Sequence, residues 1–219
     1  MPGRLLRVYR ASGADGPFDR PERAHGVPFE GYYWRIVLPS SGRVVVALGA
    51  ACRDARGTWG MATLAAHPGA FARTAVSDDA VPDPRAFGLR IGALLDGAGS
   101  HVRADLGPGA RLDAVLHAIE PFPRRALGLA HLVPGLPQYW QPVVLRARVT
   151  GRAELGGEQL DLDGAVAYAE KNWARAFPDH WWWGHAAAFP DPEVSAAFAG
   201  GGLSSGRPRS RPASGDAPR

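Results

Sequence analysis

Apolar and polar residues alternate in short segments along this chain, and the segments end at turns rich in glycine and proline. The clearest run is residues 143–150, in which Val143, Leu145, Ala147 and Val149 alternate with the residues between them. A period of two is typical of a β-strand that buries one face. No stretch shows a sustained helical period. The sequence therefore predicts an all-β fold of antiparallel strands.

Ten or more short strands, separated by turns, are predicted. Those in the first half lie at residues 32–38, 43–51, 58–66, 71–76, 101–106 and 111–119, with a loop at 77–84. Those in the second half lie at residues 143–150, 152–155, 158–163, 165–172, 181–189 and 193–199, after a proline- and glycine-rich connection at 121–137. Gly156-Gly157 is typical of a two-residue hairpin turn. This arrangement predicts an antiparallel barrel or sandwich, and a barrel of about eight strands can enclose one small ligand.

The chain divides into three predicted parts. Residues 1–28 are rich in glycine, proline and aspartate and form an irregular lead-in. Residues 29–199 form the β domain, which can bury a sizeable core because 46% of the 219 residues are hydrophobic. Residues 200–219 contain almost nothing to bury and are predicted to be a disordered tail.

Charge and cysteine content limit the classes of partner. The net charge is +4, and most of it lies in the tail, which contains four arginines and a single acidic residue, Asp216. The rest of the chain shows no basic cluster, so no nucleic-acid partner is predicted. Cys52 is the single cysteine, which excludes an intrachain disulfide and favours a cytoplasmic protein. No apolar run approaches the roughly 18 residues of a membrane span. A lipid ligand would therefore be handled in the cytoplasm or by peripheral contact with a membrane.

Residues 168–185 contain four of the seven tryptophans and the only lysine. In an extended chain, successive side chains point to opposite faces. One face of this segment thus carries a phenol, a carboxylate and an amide, from Tyr168, Glu170 and Asn172. A carboxylic acid set against apolar rings has a raised pKa, because burial disfavours its charged form. Such a group can act as a general acid near neutral pH.

Structural interpretations of the same residues stay open at this point. A Glu-Lys pair is commonly a structural ion pair, and a tryptophan cluster is commonly core packing, and spacing alone favours both. His180 and His185, with Asp179 beside them, do not have a zinc-site spacing, so no metal is predicted. The glycines at 200–202 lack the pattern of a phosphate-binding loop. The sequence therefore predicts no cofactor.

Three blocks, in order along the chain, resemble the tocopherol cyclase family. Residues 168–184 are similar to its most characteristic block, and the matching residues are Glu170-Lys171-Asn172-Trp173, Phe177-Pro178, Trp181 and Trp183. Residues 29–34, Phe-Glu-Gly-Tyr-Tyr-Trp, look like the family's Phe-Glu-Gly-Trp-Tyr-Phe start. Residues 137–141, Pro-Gln-Tyr-Trp-Gln, look like its Pro-His-Trp-Gln element.

The resemblance implies a lipocalin-like all-β protein that acts on a hydrophobic, prenylated quinol-like small molecule. It implies closure of a prenylated benzoquinol to a chromanol: a prenyl double bond is protonated, and the phenolic oxygen captures the tertiary cation. An acid in a water-excluding aromatic pocket suits this chemistry.

Positions within these blocks suggest roles for individual residues. Glu170 is the expected acid, with Asp179 or Glu30 as the alternatives. The aromatic side chains expected to line the site are Trp34, Trp140, Trp173, Trp181 and Trp183. The phenol would be oriented by Asn172, Lys171 or His185.

The chain also departs from the family pattern. Plant members continue well past this block, whereas here the tail follows, so a shortened form or a change of reading frame is expected. Two alternatives to a cyclase follow from this: a non-catalytic carrier of isoprenoid quinones or terpenoids, and an inactive truncated member. Asp179-His180 stands where plant members have Arg-Lys, which changes the charge at the pocket edge.

Overall fold

The computed structural model describes residues 2–175, 180–187 and 194–202. These residues form one α-helix, α1 (Pro2–Arg10), one 3₁₀ helix (Gly128–Leu132) and fourteen strands. The first nine strands are β1 (Phe29–Leu38), β2 (Arg43–Asp54), β3 (Gly57–His67), β4 (Phe71–Ser77), β5 (Ala80–Pro82), β6 (Gly88–Ile91), β7 (Leu95–Ala98), β8 (His101–Asp105) and β9 (Ala110–Pro121). The other five are β10 (Tyr139–Leu155), β11 (Glu158–Asp161), β12 (Ala165–Ala174), β13 (His180–Ala186) and β14 (Ala196–Gly202).

Twelve of these strands form a single antiparallel sheet in the order β4-β3-β2-β1-β12-β10-β9-β8-β7-β6-β5, with β11 paired to β10. The sheet curls on itself, so that β5 and β6 pack against β2 and β3. The end strands β4 and β5 are not hydrogen-bonded to each other, which leaves one open seam. The predicted antiparallel all-β barrel is confirmed. Strands β13 and β14 form a separate two-stranded hairpin outside this sheet.

Side chains from every part of the curled sheet fill its interior as one hydrophobic cluster. Trp34 lies at the centre of this cluster, and its indole N–H donates to the carbonyl oxygen of Ala98 at 2.9 Å. Its ring lies so close to Gly97 that a Cβ there would come within 2.5 Å of the ring. Trp34 is fully buried in this core and is not among the residues that line the cavity described below.

The alternation predicted along residues 143–150 is interrupted. Register shifts in β10 lie between Pro142 and Val144 and again between Val144 and Ala147. Val144, Ala147 and Val149 are therefore buried, whereas Leu145 is only half-buried. A β-bulge adds one residue to a strand and moves the following side chains to the opposite face, which the apolar pattern alone does not reveal.

Three other predictions need correction. The predicted loop at 77–84 contains β5, and β6 and β7 were not predicted, because strands of three or four residues are too short to show alternation. The lead-in at 1–28 contains α1, which Tyr9 anchors by donating to the backbone oxygen of Leu132 at 2.8 Å. The predicted tail starts inside β14, and residues 203–219 lie outside the described part of the chain. In the described part, no helix has the length and apolarity needed to cross a membrane.

Candidate functional site

A cavity of about 380 Å³ lies against the outer face of the sheet, beneath the β13–β14 hairpin. Its floor comes from β1, β10 and β12, whose side chains alternate between the packed interior and this outer face. The connection between β9 and β10 closes one side. The lining residues are Phe29, Gly31, Tyr32, Tyr33, Leu48, Leu127, Ala130, Leu136, Pro137, Gln138, Trp140, Glu170, Asn172, Trp181, Trp182, Trp183, Ala199, Gly200 and Gly201.

Glu170 is the buried carboxyl group of this cavity, and three donors converge on one of its oxygens. Oε2 accepts hydrogen bonds from Trp140 Nε1 at 2.6 Å, the Tyr168 hydroxyl at 2.6 Å and Trp183 Nε1 at 2.7 Å. These donors come from β10, β12 and β13, so the fold holds the carboxyl from three sides. Oε1 accepts no hydrogen bond from any described residue. A proton on Glu170 therefore belongs on Oε1, because the lone pairs of Oε2 are already engaged.

The surroundings of Glu170 favour its protonated form. Burial raises its pKa above the ordinary value, and the hydrogen bonds from Tyr168, Trp140 and Trp183 offset only part of that rise. Burial also raises the pKa of Tyr168 far above its usual range, and it raises that of Tyr33 to about 12. Both phenols thus keep their protons, and Tyr168 remains a donor to the carboxyl.

Aromatic rings surround the carboxyl. The Tyr33 and Trp183 ring centroids lie 5.4 Å apart with the planes at 73°, an edge-on arrangement. Trp183 also lies 5.7 Å from Tyr168. Trp140 and Trp181 line the same cavity. Aromatic faces attract a positive charge placed over them, so a cation that forms beside Glu170 would be stabilised.

Trp183 and His185 fasten the hairpin that covers the cavity to the barrel. Trp183 reaches Glu170, and His185 lies between Arg35 and the backbone oxygen of Leu145, at 3.3 Å from Nδ1 and 3.2 Å from Nε2. Nδ1 accepts from Arg35 and Nε2 donates to Leu145, which requires a neutral ring. Burial, together with Arg35, lowers the pKa of His185 to about 4, consistent with that state. Its ring stacks on Tyr168 at 4.3 Å.

Lys171 points away from the cavity, toward the packed interior. Its Nζ lies 2.9 Å from Glu30 Oε2 and 2.8 Å from His25 Nδ1, and it also donates to the backbone oxygen of Arg23. Trp173 shares this face, where its ring stacks between His25 at 4.1 Å and Tyr139 at 5.4 Å. Lys171 and Trp173 therefore close one end of the barrel and do not line the cavity.

Glu30 belongs to the same buried cluster. Its Oε1 accepts from Arg53 and from the backbone N–H of Gly26, both at 2.8 Å. Burial alone would raise its pKa, but Lys171 and Arg53 lower it to about 2. This carboxylate stays ionised and is held away from the cavity, so its geometry does not suit a proton donor. The other alternative acid, Asp179, lies outside the described residues.

The sequence did not single out several lining residues. Tyr33 reaches the site because it pairs with Glu170 across β1 and β12, and that pairing requires knowledge of the strand order. Leu127 and Leu136 come from the connection at 121–137, which carries no periodic signal. Trp182 lies within the predicted aromatic block but received no role. Within the described ranges, no group of three His, Cys, Asp or Glu side chains could hold a metal ion.

The C-terminal part of the chain is similar in sequence to known proteins. Residues 124–207 match the family model described as tocopherol cyclase-like. A stretch of 70 residues is 37% identical to the chloroplastic tocopherol cyclase of Zea mays. Over this segment, the chain is similar to the tocopherol cyclase-like family. The aligned stretch covers 31% of this chain and only 15% of the maize protein. The matched segment contains Trp140, Tyr168, Glu170 and Trp183, whereas Tyr33 precedes it.

Two solved structures are similar to this chain at low sequence identity. One is a Nitrosomonas europaea protein described as an AttH, with a TM-score of 0.48 and 14% identity over 78% of this chain and 62% of that one. The other is kievitone hydratase from Nectria haematococca, with a TM-score of 0.45 and 13% identity over 77% of this chain and 60% of that one.

Proposed function

We propose that this tocopherol cyclase-like chain closes the ring of a prenylated benzoquinol to give a chromanol. Glu170 Oε1–H donates its proton to the CH carbon of the prenyl double bond nearest the ring, which leaves a tertiary cation. The neighbouring phenolic oxygen adds to that cation, and its proton returns to Glu170. Substrate and product are isomers, so no oxidant or cofactor is consumed. The observation that carries the proposal is a buried carboxyl that has three donors on one oxygen and lies in a cavity lined by aromatic rings.

The three donors on Oε2 have a second effect in this reaction. When the proton leaves Oε1, negative charge develops on the carboxylate of Glu170. Trp140, Tyr168 and Trp183 already point at that charge, so no reorganisation is needed at the moment of transfer. The rings of Tyr33 and Trp183 line the same cavity, where aromatic faces attract the developing cation. The site thus stabilises both members of the transient ion pair.

Exclusion of water decides which product forms. A tertiary cation reacts with any nearby water to give an alcohol instead of a ring. Aromatic and aliphatic side chains dominate the lining, and the hairpin is fastened over the cavity through Trp183 and His185. This arrangement supports ring closure over hydration, since a closed site prevents such side reactions.

The test is incubation of the purified chain with a prenylated benzoquinol under reducing conditions, followed by mass spectrometry for the chromanol. A protein that folds and binds the quinol but yields no chromanol would contradict the cyclase proposal. That result would favour a carrier of isoprenoid quinones or related terpenoids.

The pH dependence of turnover should identify the acid. Only protonated Glu170 can react, so the rate is expected to fall as the pH rises through its raised pKa. Trp183→Phe keeps a ring but removes one donor from Oε2, which disfavours the carboxylate. The falling limb of the pH–rate profile should therefore move to higher pH in Trp183→Phe. A limb that moves to lower pH, or stays in place, would contradict this role for Trp183.

Peripheral contact with a lipid phase is also part of the proposal. Trp181, Trp182 and Phe198 expose 57%, 59% and 59% of their surface on the hairpin beside the cavity. Aromatic side chains of this kind favour the interface between water and lipid. We expect the chain to float with phosphatidylcholine vesicles, and Trp182→Ser to reduce the bound fraction. Equal flotation of Trp182→Ser and the wild type would contradict the contact.

A further inference from the structure

Ring closure requires that the attacking hydroxyl of the quinol be held toward the cation. Of the three polar side chains expected to orient the phenol, two are engaged elsewhere. Lys171 lies on the other face of β12, where it pairs with Glu30. His185 uses both ring nitrogens, one toward Arg35 and one toward Leu145. These contacts leave Asn172.

Asn172 lies on the cavity face of β12, two residues after Glu170. Its Oδ1 is buried and accepts no hydrogen bond from the described part of the protein. A buried polar atom without a partner costs free energy, which a ligand donor would recover. Tyr32, the other lining residue with a buried unpartnered atom, directs its ring toward Lys171, 5.5 Å from Nζ. Asn172 Oδ1 is thus a buried acceptor on the cavity side that has no partner among the described residues.

We propose that Asn172 Oδ1 accepts a hydrogen bond from the quinol hydroxyl that attacks the cation. The inference rests on the proposed cyclisation. Residues two apart on a strand have Cα atoms about 6.6 Å apart along one face. The attacking oxygen and the protonated carbon both bond to the cationic carbon in the product, so they lie closer together than this. One substrate can therefore contact Glu170 Oε1 and Asn172 Oδ1 at once.

The hydrogen bond fixes the direction of attack. With the hydroxyl hydrogen on Asn172, an oxygen lone pair is free to face the cation that Glu170 creates. An amide oxygen is too weak a base to keep the proton. When the carbon–oxygen bond forms, the proton passes to the Glu170 carboxylate and restores the acid. Asn172 would therefore control capture of the cation and not its formation.

Gly31 supports the position of this amide. Gly31 and Asn172 are cross-strand partners in β1 and β12. A Cβ built on Gly31 would lie 2.6 Å from Asn172 Oδ1. Since that contact is far below a normal separation, Gly31→Ala would force the amide to move. This substitution offers a second variant in which Asn172 is retained but displaced.

A binding experiment tests the proposal without turnover. The probes are a benzoquinol with a saturated tail, which cannot be protonated, and the same compound with hydrogen in place of the hydroxyl next to the tail. Tryptophan fluorescence titration should show a preference of the wild type for the quinol of about fivefold to tenfold, as for one hydrogen bond. Asn172→Leu should lose that preference and keep its affinity for the deoxy probe, and Gly31→Ala should show a reduced preference. Gln159→Leu, which changes an exposed side chain of β11, is the matched amide control.

Deuterium uptake separates capture of the cation from its formation. In D₂O, Asn172→Leu should form little chromanol but return quinol that carries deuterium in its prenyl group. Glu170→Gln should give neither product. Asn172→Leu with wild-type preference and wild-type ring closure would overturn the proposal, and so would loss of deuterium uptake in a folded Asn172→Leu variant. Absence of chromanol from the wild type would refute the cyclisation, while the binding preference would still report on Asn172.

Discussion

Glu170→Gln is expected to reduce chromanol formation by about 10²–10⁴-fold, the usual contribution of a general acid, while quinol binding stays unchanged. The glutamine carbonyl oxygen can accept the three hydrogen bonds that Oε2 accepts in the wild type. Its amide group has nearly the same shape as the carboxyl but no proton acidic enough to transfer to an alkene. The loss should therefore appear in kcat and not in the affinity.

The matched control is Glu120→Gln, which changes a partly exposed carboxylate that lies 3.7 Å from Arg146 at the end of β9. Its kcat/KM should equal that of the wild type. Chromanol is measured by mass spectrometry, and binding is measured by tryptophan fluorescence. A Glu170→Gln variant with undiminished turnover would exclude Glu170 as the acid.

Glu30→Gln is expected to lower the free energy of unfolding by about 3–5 kcal/mol, the range found when one partner of a buried ion pair is removed. Glu30 and Lys171 are both fully buried, with 2.9 Å between Oε2 and Nζ. Glutamine leaves the ammonium group of Lys171 without its countercharge and also weakens the contact to Arg53. Urea denaturation measures the loss directly.

The control for this variant is Glu158→Gln, which removes an exposed ion pair with Arg43. Its unfolding midpoint should match that of the wild type, because exposed pairs contribute little. A Glu30→Gln protein as stable as the wild type would show that the buried cluster does not hold this end of the barrel together.

The same carboxylate predicts how stability depends on acid. Its pKa is lowered from 4.5 in the unfolded chain to about 2 in the folded one. The folded state therefore gains stability that is complete above pH 4.5 and is lost as the pH falls toward 2. Glu30→Gln should lack this part of the acid dependence. Identical acid unfolding curves for the two proteins would contradict the assignment.

Local pattern was enough to predict most of the strands and the face on which Glu170 lies. Alternation placed Tyr168, Glu170 and Asn172 together, and the structure has all three on the outer face of β12. Alternation separates two faces, however, without saying which of them the sheet encloses. The expected ligand space was the inside of a barrel, whereas the cavity lies outside it, under the hairpin. That outcome depends on how the whole sheet curls, which no short segment encodes.

The contacts that the sequence could not predict depend on pairing between strands that are distant along the chain. Lys171 follows Glu170 directly, yet its partner is Glu30, which reaches it because β1 pairs with β12. Lys171 thus forms a structural ion pair, but with the distant Glu30 and not with its neighbour Glu170. Trp140 and Trp183 converge on Glu170 from strands on either side of it in the sequence. The bulges in β10 shift residues between faces, and bulges leave no periodic mark in the sequence.

The most direct test of the proposed chemistry is wild-type turnover of a prenylated benzoquinol in D₂O. If Glu170 Oε1 delivers the proton, its exchangeable hydrogen is deuterium, and each chromanol should carry one deuterium on the ring carbon next to the newly bonded one. Mass spectrometry gives the number of deuterium atoms, and NMR gives their position. A chromanol without deuterium at that carbon, or no chromanol from a folded protein that binds the quinol, would contradict acid-initiated ring closure at Glu170.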